Sequence, residues 1–92
     1  NFNNNNIQDG LKPKILDGFK KYKQIKNINV SLDDVSELSL VDLLKFIVMV
    51  SPFEVSVKQM FLELKSYQEL YENVLSTLEI ELASGQETAS IN

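Results

Sequence analysis

The sequence predicts an all-α protein: a helical hairpin with a short N-terminal helix and a long C-terminal helix, kinked by a proline, that packs in an oligomer. Three observations carry that expectation. Between 43 and 78, apolar side chains recur in alternating steps of three and four: Leu43, Phe46, Val50, Phe53, Val57, Met60, Leu64, Tyr67, Tyr71, Val74 and Leu78. That is the a/d seam of a helix covered along its length by other helices. An earlier stripe of Ile15, Phe19, Tyr22 and Ile25 marks one face of a second helix. The two segments also carry opposite charge. Lys12, Lys14, Lys20, Lys21, Lys23 and Lys26 stand against Asp17 in the first, and Glu54, Glu63, Glu69, Glu72, Glu79 and Glu81 against Lys58 and Lys65 in the second.

Positions 1–10 form a polar, low-complexity segment, Asn-rich from Asn1 to Asn6. It has too little apolar surface to offset its chain entropy and is expected to be disordered. Asp9-Gly10 marks a turn and Pro13 suits a helix start, so the first helix is placed at 11–26. Gly18 weakens it by roughly 1 kcal/mol relative to alanine. Positions 27–38 read as a connecting loop. Its acids, Asp33, Asp34 and Glu37, lack the alternating spacing of a calcium loop and read as solvated charges near a helix start.

The long assembly helix is placed at 39–84. Ser39-Leu40-Val41-Asp42 opens it with a pattern in which the Ser39 hydroxyl accepts an otherwise unpaired backbone N–H. A similar pattern, Ser51-Pro52-Phe53-Glu54, lies inside the seam. Either one helix ends near Val50 and another begins at Pro52, or one helix continues with a kink. The seam holds its phase through Pro52, which favours the kink. Gly85 is the expected stop, leaving 85–92 as a frayed tail.

Composition narrows the function. The chain has 92 residues with no cysteine or histidine and a net charge of -4; all its cations are lysines. Thiolate metal sites, disulfides and cysteine nucleophiles are excluded. The usual neutral-pH base and commonest metal ligand is missing, as is the guanidinium fork that reads phosphates and guanine edges. No catalytic, cofactor or metal constellation is expected, nor a nucleic-acid or small-molecule partner. The richest apolar run, at 38–50, is too short to span a bilayer and contains Asp42 and Lys45. The first residues have neither the basic nor the apolar region of a signal peptide. A chain that does not open on methionine is expected to be a fragment, a processed product or part of something longer.

A helix over 39–84 would be roughly 65 Å long, and the first helix would cover about 22 Å of it. The remainder of the seam would stay wet at about 1.5–3 kcal/mol per large side chain, so partners are expected. The flanking e positions Ile47, Phe61 and Leu75 and g positions Met49 and Leu70 broaden the face beyond what a two-stranded coil needs. Opposite charges favour pairing of the two segments, within a hairpin or between copies; the plainer alternative is two solvated faces. Tyr67 and Tyr71 read as core residues with wet hydroxyls.

The layout of Leu43, Lys45, Phe46, Val50, Ser51, Phe53, Val55, Val57, Leu64 and Lys65 resembles the C-terminal helix of type III secretion inner-rod (needle-adapter) proteins. The pair Val74-Leu75 resembles the apolar pair that closes such chains. The chain departs from that pattern at Ile47, at Pro52 and in its extension beyond Glu79. The resemblance implies a virulence-associated structural subunit of a protein-export assembly in the bacterial cell envelope, or one secreted through it. Its partners would be copies of itself, needle subunits and export-gate components, with the seam carrying subunit packing. The alternative is a soluble helical adaptor, chaperone-like or antitoxin-like and cytoplasmic, that masks a partner's hydrophobic helix.

Overall fold

The computed structural model describes residues 9–91, and the side chains of 10–84. A 3-10 turn at Asp9–Leu11 leads into α1 (Lys12–Lys26), followed by α2 (Leu32–Ser36), α3 (Leu40–Val50), α4 (Val55–Glu63) and α5 (Tyr67–Ile91). The protein is all-α, with no strand among the described residues. The expected disorder of 1–10 falls outside the described residues apart from Asp9 and Gly10, which belong to the 3-10 turn.

α1 lies where the apolar stripe placed it, with Ile15, Phe19 and Tyr22 buried and Pro13 in its first turn, although the last stripe residue, Ile25, is exposed. It ends because Asn27 turns left-handed, at φ 58° and ψ 42°. Asparagine tolerates that conformation better than most residues, and the turn lets the Ile28 N–H donate to the Lys23 carbonyl at 3.0 Å. The loop expected over 27–38 is interrupted by α2. The Ser31 hydroxyl accepts from the Asp34 N–H at 3.5 Å, so Ser31 caps one turn that sinks Val35 into the core. The Lys12 ammonium donates to the Ser36 carbonyl at 2.6 Å and ties α2 to α1.

The continuous helix expected over 39–84 is three helices. α3 starts as anticipated, with the Ser39 hydroxyl accepting from the Asp42 N–H at 3.2 Å. It stops at Ser51, which is extended (φ -79°, ψ 145°). The physical cause is Pro52, whose ring drives the preceding residue out of the helical region. The helix thus ends at Val50, as one of the two expected courses had it, with neither a kinked continuation nor a helix start at Pro52. Ser51 closes α3 instead of opening a new helix, and α4 begins three residues beyond Pro52, with Glu54 as its cap residue. A second break follows at Leu64, again extended (φ -66°, ψ 146°). Its cause is local too: the Ser66 hydroxyl accepts from the Glu69 N–H at 3.1 Å, while the Glu69 carboxylate accepts from the Lys65 N–H at 3.3 Å. These paired bonds resemble a capping box that starts α5 afresh. At the other end, Gly85 does not stop the helix, and the backbone stays helical to Ile91. A glycine ends a helix by turning left-handed, and no described glycine has a positive φ.

These breaks let the chain fold onto itself. Its longest dimension is 46 Å, well short of the roughly 65 Å that a straight helix over 39–84 would need. α1 and α5 run side by side in the same direction. Tyr71 reaches the Leu11 carbonyl at 3.1 Å, Gly18 faces Leu75 and Leu78, and Lys26 pairs with Glu81 at 3.4 Å. The pairing of lysine-rich and acidic segments therefore exists within one chain. The Lys26–Glu81 bridge is partly exposed and is worth at most about 1 kcal/mol; burial of Phe19, Tyr22, Val74 and Leu78 carries more. α3 closes the core from the other side through Leu43, Leu44 and Ile47. Phe53, in the extended link, packs between Tyr22, whose ring is tilted, and Phe61, which it meets edge to face, each ring 5.7 Å away.

Candidate interaction surface

The seam residues divide into three groups. Leu43, Phe53, Tyr71, Val74 and Leu78 are buried in the core of the single chain. Phe46, Val50, Val57, Leu64 and Tyr67 are half-buried against that core. Met60 is exposed. Most of the seam is therefore covered within the chain, which turns back on itself where one straight helix would have left it open. Four of the five flanking residues that broadened the face behave alike: Ile47, Phe61 and Leu70 are buried and Leu75 is half-buried. The extra neighbours they call for are the chain's own helices. Met49 is the exception, 66% exposed.

The uncovered apolar surface lies elsewhere. Of the six exposed large hydrophobics among the described residues, Met49, Val55, Met60 and Leu62 lie between 49 and 62 in the sequence. Val55 and Leu62, 72% and 79% exposed, are seven residues apart and so share one face of α4. Lys58 lies between them on that face and donates to the Met49 carbonyl at 3.2 Å, which brings the end of α3 beside it.

Leu62 also stands at the edge of a groove of about 190 Å3 between α3, α4 and α5. α3 supplies Lys45 and Val48, α4 supplies Phe61 and Leu62, the second break supplies Leu64 and Ser66, and α5 supplies Tyr67 and Leu70. The lining is almost wholly apolar. At its mouth the Lys45 ammonium sits 5.5 Å from the Tyr67 ring centre, a cation–π contact that holds the lysine stem along the rim. A depression between α2 and α3, lined by Val30, Val35, Leu38 and Phe46, has none of the exposed large hydrophobics at its edge.

The groove arises from the two breaks. A helix running straight through 64–66 would carry Tyr67 and Leu70 away from Phe61; the turn brings α5 back across α3. Sequence reasoning along the seam passed over Val55 and Leu62, although a signal was present. Val48, Val55 and Leu62 recur every seven residues at the position opposite the seam, where a solvated helix carries polar residues.

The charges of the segment that builds the groove are mixed: between 45 and 70 lysines and glutamates alternate as Lys45, Glu54, Lys58, Glu63, Lys65 and Glu69, and Lys45 lines the groove itself. Away from the groove, two buried hydroxyls have unusual settings. Tyr22 Oη and Ser51 Oγ are buried without a hydrogen-bond partner. Burial, with a smaller contribution from Glu81, pushes the Tyr22 phenol up to about 12. Burial and then Glu79 raise Tyr71, whose hydroxyl donates to the Leu11 carbonyl.

Among the described residues no group of His, Cys, Asp or Glu side chains is placed to hold a metal ion. No helix among them is long and apolar enough to cross a membrane. Fold and surface together define a small all-α domain with a closed core and an apolar groove that has the exposed Leu62 at its edge. No protein-family model, curated protein or solved structure matches the chain.

Proposed function

We propose that this protein is a non-catalytic interaction module, an adaptor that covers an apolar segment of a protein partner with the surface formed by α3, α4 and α5. One observation carries the reading: in a domain whose core is already closed, Leu62 remains 79% exposed beside an apolar groove. Exposed apolar residues scattered singly are ordinary, whereas one at the edge of an apolar groove, with a second on the same helix face, points to a binding surface. The inner-rod reading required a seam left open for neighbouring copies. Leu43, Phe53, Tyr71, Val74 and Leu78 are enclosed within the chain, so the adaptor reading is the better supported of the two.

The test is photo-cross-linking in cells that express the full chain. Benzoylphenylalanine is placed at position 62 or 55, with position 20 on the outer face of α1 as the reference. Discrete adducts at 62 and 55 that are absent at 20 are the expected result. No adduct at 62, or the same set at all three positions, refutes the reading.

A further inference from the structure

We infer that the occupant of this groove is a second copy of the same chain, in a two-fold dimer in which Leu62 of each copy enters the groove of the other. The proposal rests on the reading of this surface as an interaction site and names its partner.

The first argument is shape. Leu62 protrudes, 79% exposed, from the rim of a groove of about 190 Å3 whose walls are Val48, Phe61, Leu64, Tyr67 and Leu70. An apolar cavity of about 150 Å3 takes up a molecule as large as benzene, so the groove has room for a leucine side chain. A projection and a recess lie side by side on one face. A two-fold axis between them brings the projection of each copy to the recess of the other, which is the geometry of a self-complementary contact. Val55, exposed on the same face of α4 as Leu62, and Met49, exposed at the end of α3 where its carbonyl accepts from Lys58, extend the apolar surface past the recess.

The second argument is charge. A two-fold contact sets a patch against itself, so a rim of one sign would repel its own image. Along the segment 45–70 that builds the groove, Lys45, Lys58 and Lys65 alternate in sequence with Glu54, Glu63 and Glu69. These charges balance, so a two-fold contact of this segment with its copy does not set one net sign against itself. The strongly charged face of the molecule is elsewhere: α1 carries six lysines against Asp17. A partner chosen for a single strong charge would be drawn to α1. The balanced, mixed charge of the segment that builds the groove suits a copy of itself.

Sedimentation equilibrium of the purified full chain from low-micromolar to submillimolar concentration tests this. The unmodified chain is expected to form a dimer, with no larger species. Leu62→Glu should weaken dimerisation by roughly a hundredfold or more, because two leucines leave apolar surroundings per dimer. Val55→Glu should weaken it less. Ile80→Glu, at an exposed position on α5, should leave it unchanged. Circular dichroism melting of the dilute variants checks that the fold is retained, which the exposure of all three side chains favours. A chain that stays monomeric at submillimolar concentration overturns the proposal, as does a dimer that Leu62→Glu leaves intact or that Ile80→Glu weakens equally. If the chain is monomeric while cross-links at position 62 lead to a different protein, the second-copy proposal fails and the adaptor reading stands. If the chain is monomeric and position 62 yields no adduct, both fail.

Discussion

Leu78 and Met60 are both seam residues, and along the sequence they are equivalent; the fold makes them unequal. Leu78 is 0% exposed, with its Cδ1 3.8 Å from the place a Cβ would occupy on Gly18. Met60 is 38% exposed. Truncating a fully buried leucine to alanine removes its transfer free energy and leaves a cavity, together about 2–5 kcal/mol. At roughly 0.05–0.15 kcal/mol per residue, a domain of 92 residues has a total stability of about 5–14 kcal/mol. Leu78→Ala therefore removes a large part of it. A loss of about 3 kcal/mol lowers the melting temperature by roughly 12–24 °C in a domain of this size. Met60→Ala loses only partial burial and costs about 1 kcal/mol or less. The assay is urea unfolding followed by circular dichroism, with both variants made on the Leu62→Glu background at micromolar concentration so that self-association does not contribute. If both variants lose similar stability, or if Leu78→Ala is neutral, the seam is not folded into the core of one chain.

Two further predictions concern α1. Gly18→Ala is expected to stabilise the protein by about 1 kcal/mol, because alanine is the better helix former. The added methyl would meet Leu78 and Leu75 at 3.8 and 3.9 Å, ordinary contact distances; a lower urea midpoint would refute that packing. Tyr22 holds its proton to about pH 12 in the folded state, against about 10 when unfolded. Its contribution is fully present below pH 10 and is lost as pH rises from about 10 to 12. Tyr71, also raised, acts in the same direction. Stability should fall over that range, and Tyr22→Phe should flatten part of the fall. The same substitution should be neutral or stabilising near pH 7, because the Tyr22 hydroxyl is buried without a partner. An unchanged pH profile in Tyr22→Phe would sink the assignment.

The all-α class, α1 and the cap at Ser39 were legible in the sequence because each depends on neighbours a turn away. The stripe Ile15, Phe19, Tyr22 and Ile25 fixes which side of α1 is apolar, whatever covers it, and the fold leaves its last member, Ile25, exposed. The local breaks were legible too, but they were outweighed. Pro52 excludes Ser51 from the helix, and Ser66 with Glu69 forms a helix-start pattern. Both signals lie inside a seam whose phase runs on undisturbed from Leu43 to Leu78. Heptad phase records which side chains are buried, and a chain that turns back on itself can bury the same set as a straight rod.

Tertiary structure alone decided what covers that seam. The side-by-side course of α1 and α5, set by contacts between Leu11 and Tyr71 and between Gly18 and Leu78, depends on the direction each break sends the chain. That direction comes from packing between residues distant in sequence. The groove beside Leu62 has the same origin, since its walls come from three helices and the link between two of them. Composition and pattern thus determined that this chain is helical and which residues are apolar. The fold determined that most of the seam is core and that Val55 and Leu62 of α4 stay exposed, because burial is settled by where the helices meet.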